Sequence, residues 1–253
     1  MQTPPLKHHP NPMSNATEHR CPVIELRQYT LRPGQRDTLI TLFDREFVET
    51  QETVGMQVLG QFRDLDDADR LVWLRGFKGM AARAAALAAF YGGPVWQAHR
   101  DAANATMLDS DNVLLLRPAS ANMPMPIETW RRGAPPAGAL LALVCPLSTA
   151  PDARFVASFM HTWLPLLARH RGTLAGCCVT EPAANTFPSL PVREGEPVLV
   201  ALARFEAPEG CERVAAELRA SHDRLDRIGT ATGARLVAPP QVLRLAPTPR
   251  SRF

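Results

Sequence analysis

One order of hydrophobic patterns occurs twice along this chain. Val23–Leu31 (VIELRQYTL) alternates apolar and polar residues with period two, as a strand with two unlike faces does. Arg32-Pro33-Gly34 turns the chain; Leu39, Leu42, Phe43 and Phe47 then recur at helical spacing through Val48, with Gly55 as the C-cap. Residues 56–63 and 71–77 read as a hairpin about the acidic turn 64–69. The alanine-rich Met80–Tyr91 is helical by propensity, Gly92-Gly93 interrupts it, and Pro94 restarts a helix through Ala105. Residues 112–117 supply a short last strand, which completes β-α-β-β-α-β, the ferredoxin-like unit.

The second pass begins with an apolar strand at 139–147 and a helix marked by Phe155, Phe159, Trp163 and Leu166 or Leu167, ending near Gly172. Strands at 173–180 and 198–205 follow, then a helix marked by Val214, Leu218, Leu225 and Ile228, and a closing strand at 241–245. Leu71 matches Val198 at an offset of 127 and Val113 matches Val242 at 129, against about 115 at the first strands. One insertion in a tandem repeat produces that drift. It is the segment 181–197, which holds four prolines, and a loop of that length is functional or mobile. The expected organisation is a disordered tail at 1–22, repeat one at 23–117, a proline-rich linker at 118–137, repeat two at 138–246 and a tail at 247–253, with translation starting at Met1 or at Met13.

Composition narrows the function classes. At 45% hydrophobic and 21% charged, the chain is that of a soluble globular protein, and no apolar run reaches the roughly 20 residues a membrane helix needs. A net charge of +3, with no basic stripe, argues against nucleic acid as a partner. Five cysteines without a C-x-x-C spacing point to neither a disulfide framework nor a zinc site, so a reducing cytoplasm is the expected compartment and no metal is expected. The absence of G-x-G-x-x-G, P-loop, H-E-x-x-H and G-x-S-x-G patterns argues against nucleotide, zincin and serine hydrolase chemistry.

The runs ELRQYTLRPG at 25–34, LVWLRGF at 71–77, RAAALAAF at 83–90, WQAH at 96–99 and LLLRPA at 114–119 resemble the NIPSNAP family over about 95 residues, and WLPLLARHRG at 163–172 is a weaker echo in repeat two. The resemblance implies the dimeric α+β barrel superfamily. The expected fold is therefore of the α+β class: tandem ferredoxin-like repeats forming an α+β barrel within one chain, its two sheets face to face. The wider superfamily includes cofactor-free monooxygenases, haem enzymes, isomerases and cyclases, so the fold leaves the reaction open. It carries no agreed catalytic residue across, and homodimer formation is expected from it, with the smooth alanine-rich helix Met80–Tyr91 as one surface.

In a ferredoxin-like sheet the first and third strands lie side by side at the centre. Alternation then places Glu25, Arg27 and Tyr29 on one face and Trp73 and Arg75 on the same face of the neighbouring strand, while Ile24, Leu26, Val72 and Leu74 form an apolar face expected under the helices. That puts the polar set in the barrel lumen, where it would bind a small organic anion or carbonyl compound without a cofactor. A purely structural reading has Glu25 pairing Arg27 or Arg75 and closing the barrel. The equivalent strands of repeat two are apolar throughout, so any polar pocket is one-sided. His170 suits a helix C-terminus, His161 an exposed face, and His99 and His222 fall in second helices, where haem-binding relatives place a ligand, yet no haem motif surrounds them. Cys177 and Cys178 should face opposite sides of a strand as core residues. Two functions remain: ligand binding in the lumen, with cofactor-free oxygenase, isomerase or cyclase chemistry, or a non-catalytic interaction scaffold whose lumen is filled.

Overall fold

The computed structural model describes residues 21–121, 123, 138–220 and 223–253. The expected N-terminal tail apart from its last two residues, most of the linker, and His222 lie outside them. Repeat one runs β1 (Val23–Leu31), α1 (Arg36–Leu42), a π-helical turn (Phe43–Phe47), α2 (Val48–Thr53), β2 (Gln57–Asp64), β3 (Arg70–Phe77), α3 (Met80–Tyr91), α4 (Pro94–Asn104) and β4 (Met107–Pro118). Repeat two runs β5 (Ala139–Pro146), α5 (Ala153–Arg169), β6 (Gly172–Thr180), β7 (Val198–Phe205), α6 (Pro208–Ala220), α7 (Asp223–Thr232) and β8 (Gln241–Pro247).

Local chemistry accounts for the element ends. Pro94 opens α4 at a position where its missing N–H costs nothing, and Asp152 caps α5 by accepting from Phe155 N at 2.7 Å. Arg171, with φ of 56°, ends α5 in the left-handed region, and Gly172 follows because a Cβ there would stand 2.5 Å from the Phe205 ring. Two elements differ from expectation. β4 begins five residues early, its polar first half paired with Thr30 and Leu31 across register shifts, so it lacks the apolar alternation that marks 112–117. The second helix of repeat two is broken into α6 and α7.

The eight strands close into a barrel in the order β1-β3-β2-β8-β5-β7-β6-β4, with every neighbouring pair antiparallel. Each repeat supplies a four-stranded sheet, and the seams are β2 with β8 and β4 with β6. Closure leaves no unpaired sheet edge. No helix among the described residues is long and apolar enough to cross a membrane.

The lumen corrects the expected orientation. Its filling comes from all eight strands, with Ile24, Leu26, Val72 and Leu74 from repeat one meeting Leu140, Ala142, Val200 and Leu245 from repeat two in one buried apolar cluster. The apolar face of β1 and β3 thus turns inward and the polar face turns out toward the helices. Strand alternation fixes which residues share a face, not which face is inside. The buried charges of Glu25 and Arg75 need further partners, and the helix side offers Arg83 and Gln51 where the apolar face of the opposite sheet offers none. Phe253 also enters the luminal cluster, with its ring 5.7 Å from Phe62, because the C-terminal segment folds back along β2 through Thr248 N to Gln61 O and Arg252 N to Leu59 O.

Candidate functional site

β1 and β3 pair with Glu25 opposite Arg75 and Arg27 opposite Trp73, so the expected residues do converge, on the outer face of the sheet. Arg27 Nη1 and Arg75 Nε both donate to Glu25 Oε2 at 2.7 Å. A residue outside the expected site, Arg83 of α3, donates from Nε to Glu25 Oε1 at 2.6 Å. All four charged side chains are 0–1% exposed. Arg83 was hidden because an arginine in an alanine-rich helix looks like a solvated charge. Its clue is position: it shares the buried stripe of Ala86, Leu87 and Phe90.

Tyr29 accepts from Arg27 Nε at 3.0 Å, and Gln51 Oε1 accepts from Arg75 Nη1 at 3.2 Å. The Trp73 ring lies 5.5 Å from the Arg27 guanidinium and 5.1 Å from that of Arg75, within cation–π range. Gln51 reaches the cluster across the π-helical turn. Positions i, i+4 and i+8 of a regular α-helix drift by roughly 80°; here Phe43, Phe47 and Gln51 are all buried toward the sheet.

The charges do not balance. Guanidiniums keep their proton in proteins, and Glu25 is the one carboxylate paired with these three among the described residues. Burial pushes the Glu25 carboxyl up, but the guanidiniums of Arg75, Arg27 and Arg83 outweigh it and hold the group far below the usual carboxylate range. Burial likewise opposes the charge of Arg27, and Tyr29 and Glu25 more than restore it. Burial raises the Tyr29 hydroxyl despite the neighbouring Arg27, which keeps it a neutral phenol. Glu25 is therefore an ionised, fully engaged counter-ion and no general base. Arg75 Nη2, Arg83 Nη2 and Trp73 Nε1 are buried without a hydrogen-bond partner, a set that costs stability unless something accepts from it.

Beside the cluster lies a cavity of about 30 Å³ walled by Tyr29, Phe47, Gln51, Trp73, Phe90 and Trp96. That volume holds one or two water molecules. Phe43 and Trp73 meet edge to face at 4.8 Å, and Phe47 does so with Phe90 at 5.7 Å, so the wall is largely aromatic. The corresponding face of repeat two carries Leu141, Leu143, Ala201 and Ala203 against Phe159, Trp163 and Val214, with no charge.

The other candidates lie outside the charged cluster. His170 caps α5 and meets Glu217 at 2.6 Å; His99 lies 3.5 Å from Glu46 and outside the cavity wall; His161 is exposed. Cys177 packs against the helices and Cys178 into the lumen, and burial pushes the Cys177 thiol up to about 12. Among the described residues, no group of three or more His, Cys, Asp or Glu is placed to hold a metal ion.

Comparison with known proteins places the fold. The anthrone oxidase-like protein is similar over 89% of this chain and 91% of its own, with a TM-score of 0.53 and 12% identity. A candidate monooxygenase from Lactobacillus acidophilus NCFM is similar over 90% and 94%, with a TM-score of 0.50 and 12% identity. A NIPSNAP-like domain protein from Burkholderia xenovorans is 27% identical over 41% of this chain and 90% of its own, with a TM-score of 0.38. No curated protein matches the chain. Residues 24–122 match the NIPSNAP family model, a span that coincides with repeat one, the half of the barrel that holds the charged cluster.

Proposed function

We propose that this protein binds a small planar organic anion, an aromatic carboxylate or an enolate, between the sheet and the helices of repeat one. The observation that carries this reading is the buried excess of positive charge: three guanidiniums on one carboxylate, with two Nη2 donors unpartnered, and the Trp73 ring between Arg75 and an aromatic-walled cavity. An entering carboxylate would accept from Arg75 and Arg83 in charge-assisted hydrogen bonds and stack on the aromatic rings. The same donors would stabilise negative charge developing on a substrate oxygen, with neutral Tyr29 as a proton donor. Because the cluster holds no free base, the substrate must be acidic in its own right. Cofactor-free oxygenation, with dioxygen as co-reactant, is the chemistry that suits such an electron-rich anion, and the likeness in fold to monooxygenase-like proteins supports it.

The scaffold reading draws on the filled lumen. Calorimetric titration with benzoate separates the two. The binding reading expects saturable binding, weakened by about 2 kcal/mol or more in Arg75→Ala, as for loss of a charge-assisted hydrogen bond. Absence of binding, or equal affinity in the variant, favours the scaffold. We place the protein in the reducing cytoplasm, where five free buried cysteines stay reduced. Homodimer formation through the exposed alanines of α3 completes the proposal.

A further inference from the structure

The insertion of repeat two reaches the helix of repeat one that carries Arg83 and the cavity-wall residue Tyr91. Its arms are pinned to β4 through Glu181 N to Leu115 O and Arg193 N to Val113 O. Its tip crosses to α3: Asn185 Oδ1 and Thr186 Oγ1 accept from Arg83 Nη1 at 2.9 and 3.3 Å, and the Phe187 ring stacks on Tyr91 at 5.9 Å. Tyr91 is itself part of the cavity wall. Between the two arms, a cleft of about 410 Å³ is lined by Glu181, Ala183, Val192, Arg193 and Pro197 with Leu115 of β4, so the arms stand apart while Phe187 and Leu190 of the tip pack against the core of repeat one. The segment has no helix or strand of its own.

We infer that the segment 181–197 is a displaceable cover, and that Asn185 and Phe187 decide what enters. Resting on the anion-binding reading, the tip acts as an internal stand-in for the ligand: a neutral amide oxygen and a hydroxyl occupy donors of an arginine that one shared carboxylate leaves under-neutralised. An amide oxygen is a weaker partner for a guanidinium than a carboxylate. An entering anion therefore takes the place of Asn185 on Arg83, and the Phe187–Tyr91 stack lifts with the tip. This explains how a cavity of about 30 Å³ admits an organic molecule. Loops with few buried contacts are the parts of a fold that open at low cost. It also gives repeat two a role at a site whose equivalent it lacks.

Two measurements on the full chain test this, using Asn185→Ala, Phe187→Ala, and a protein with 184–190 replaced by a short glycine-serine link. The first, acrylamide quenching of tryptophan fluorescence, needs no ligand. Quenching should rise in all three as Trp73 and Trp96 become accessible. The second is benzoate binding by calorimetry and stopped flow. Asn185→Ala should bind about three- to tenfold more tightly and associate faster, because a competing hydrogen bond is gone. Unchanged quenching together with unchanged or weaker binding overturns the cover. If Arg83→Ala abolishes benzoate binding while the tip variants behave as wild type, the cover falls and the anion site stands. If none of the proteins binds benzoate, the anion reading falls and quenching alone decides: a rise keeps the cover, no change removes it.

Discussion

Glu25 holds three arginines with two oxygens, so its removal leaves buried charge with nothing to neutralise it. Glu25→Gln should cost about 3–5 kcal/mol, measured as a lowered urea midpoint. The pH dependence has a definite sign. A carboxyl whose folded pKa is depressed stabilises fully above its unfolded value of about 4.3 and progressively less as pH falls toward the folded value. The wild type should lose this contribution only below about pH 4.3, and Glu25→Gln should lack that slope. A variant with the wild-type midpoint and slope would show that the arginines find other partners. At this scale the sequence was informative about company and silent about direction: period two brought Glu25, Arg27, Tyr29, Trp73 and Arg75 together. The choice between lumen and helix side depended on Arg83, Gln51 and Asn185, which lie 58, 26 and 160 residues from Glu25 along the chain. No local pattern carries that information.

Among the elements, the strands with contrasting faces were the most legible; β1, α3 and β7 have the expected bounds. Elements defined by tertiary pairing were less so. The polar start of β4 pairs only because β1 lies beside it, and the π-helical turn leaves no mark in the spacing of Leu39, Phe43 and Phe47. The C-terminal segment is a similar case: little in TPRSRF signals burial, yet Thr248 and Ser251 are buried and Arg250 and Arg252 pair with Glu49 and Glu52. Removing 248–253 takes Phe253 out of the luminal cluster. That should lower stability by about 1.5–3 kcal/mol from the ring alone, read as a drop in denaturant midpoint. An unchanged midpoint would mean that the segment is dispensable to the barrel.

For the whole molecule, duplication accounts for the closed barrel and for its asymmetry. Both sheets give an apolar inner face to one lumen, while among the described residues only repeat one buries charged side chains. The exposed residues Ala81, Ala82, Ala85, Ala88 and Ala89 of α3 form the smooth surface on which two copies would pair. Light scattering should then give about twice 27.8 kDa, falling to the monomer value in Ala85→Glu; a monomer at all micromolar concentrations would remove the homodimer. The central claim, that the site lies between sheet and helices and not in the lumen, is tested most directly by a crystal structure of the full chain grown with benzoate. The account predicts ligand density with its carboxylate on Arg75 and Arg83 and its ring against Trp73 and Phe90, with Asn185 displaced. Density among Leu26, Leu74, Leu140 and Leu202 inside the barrel would contradict it.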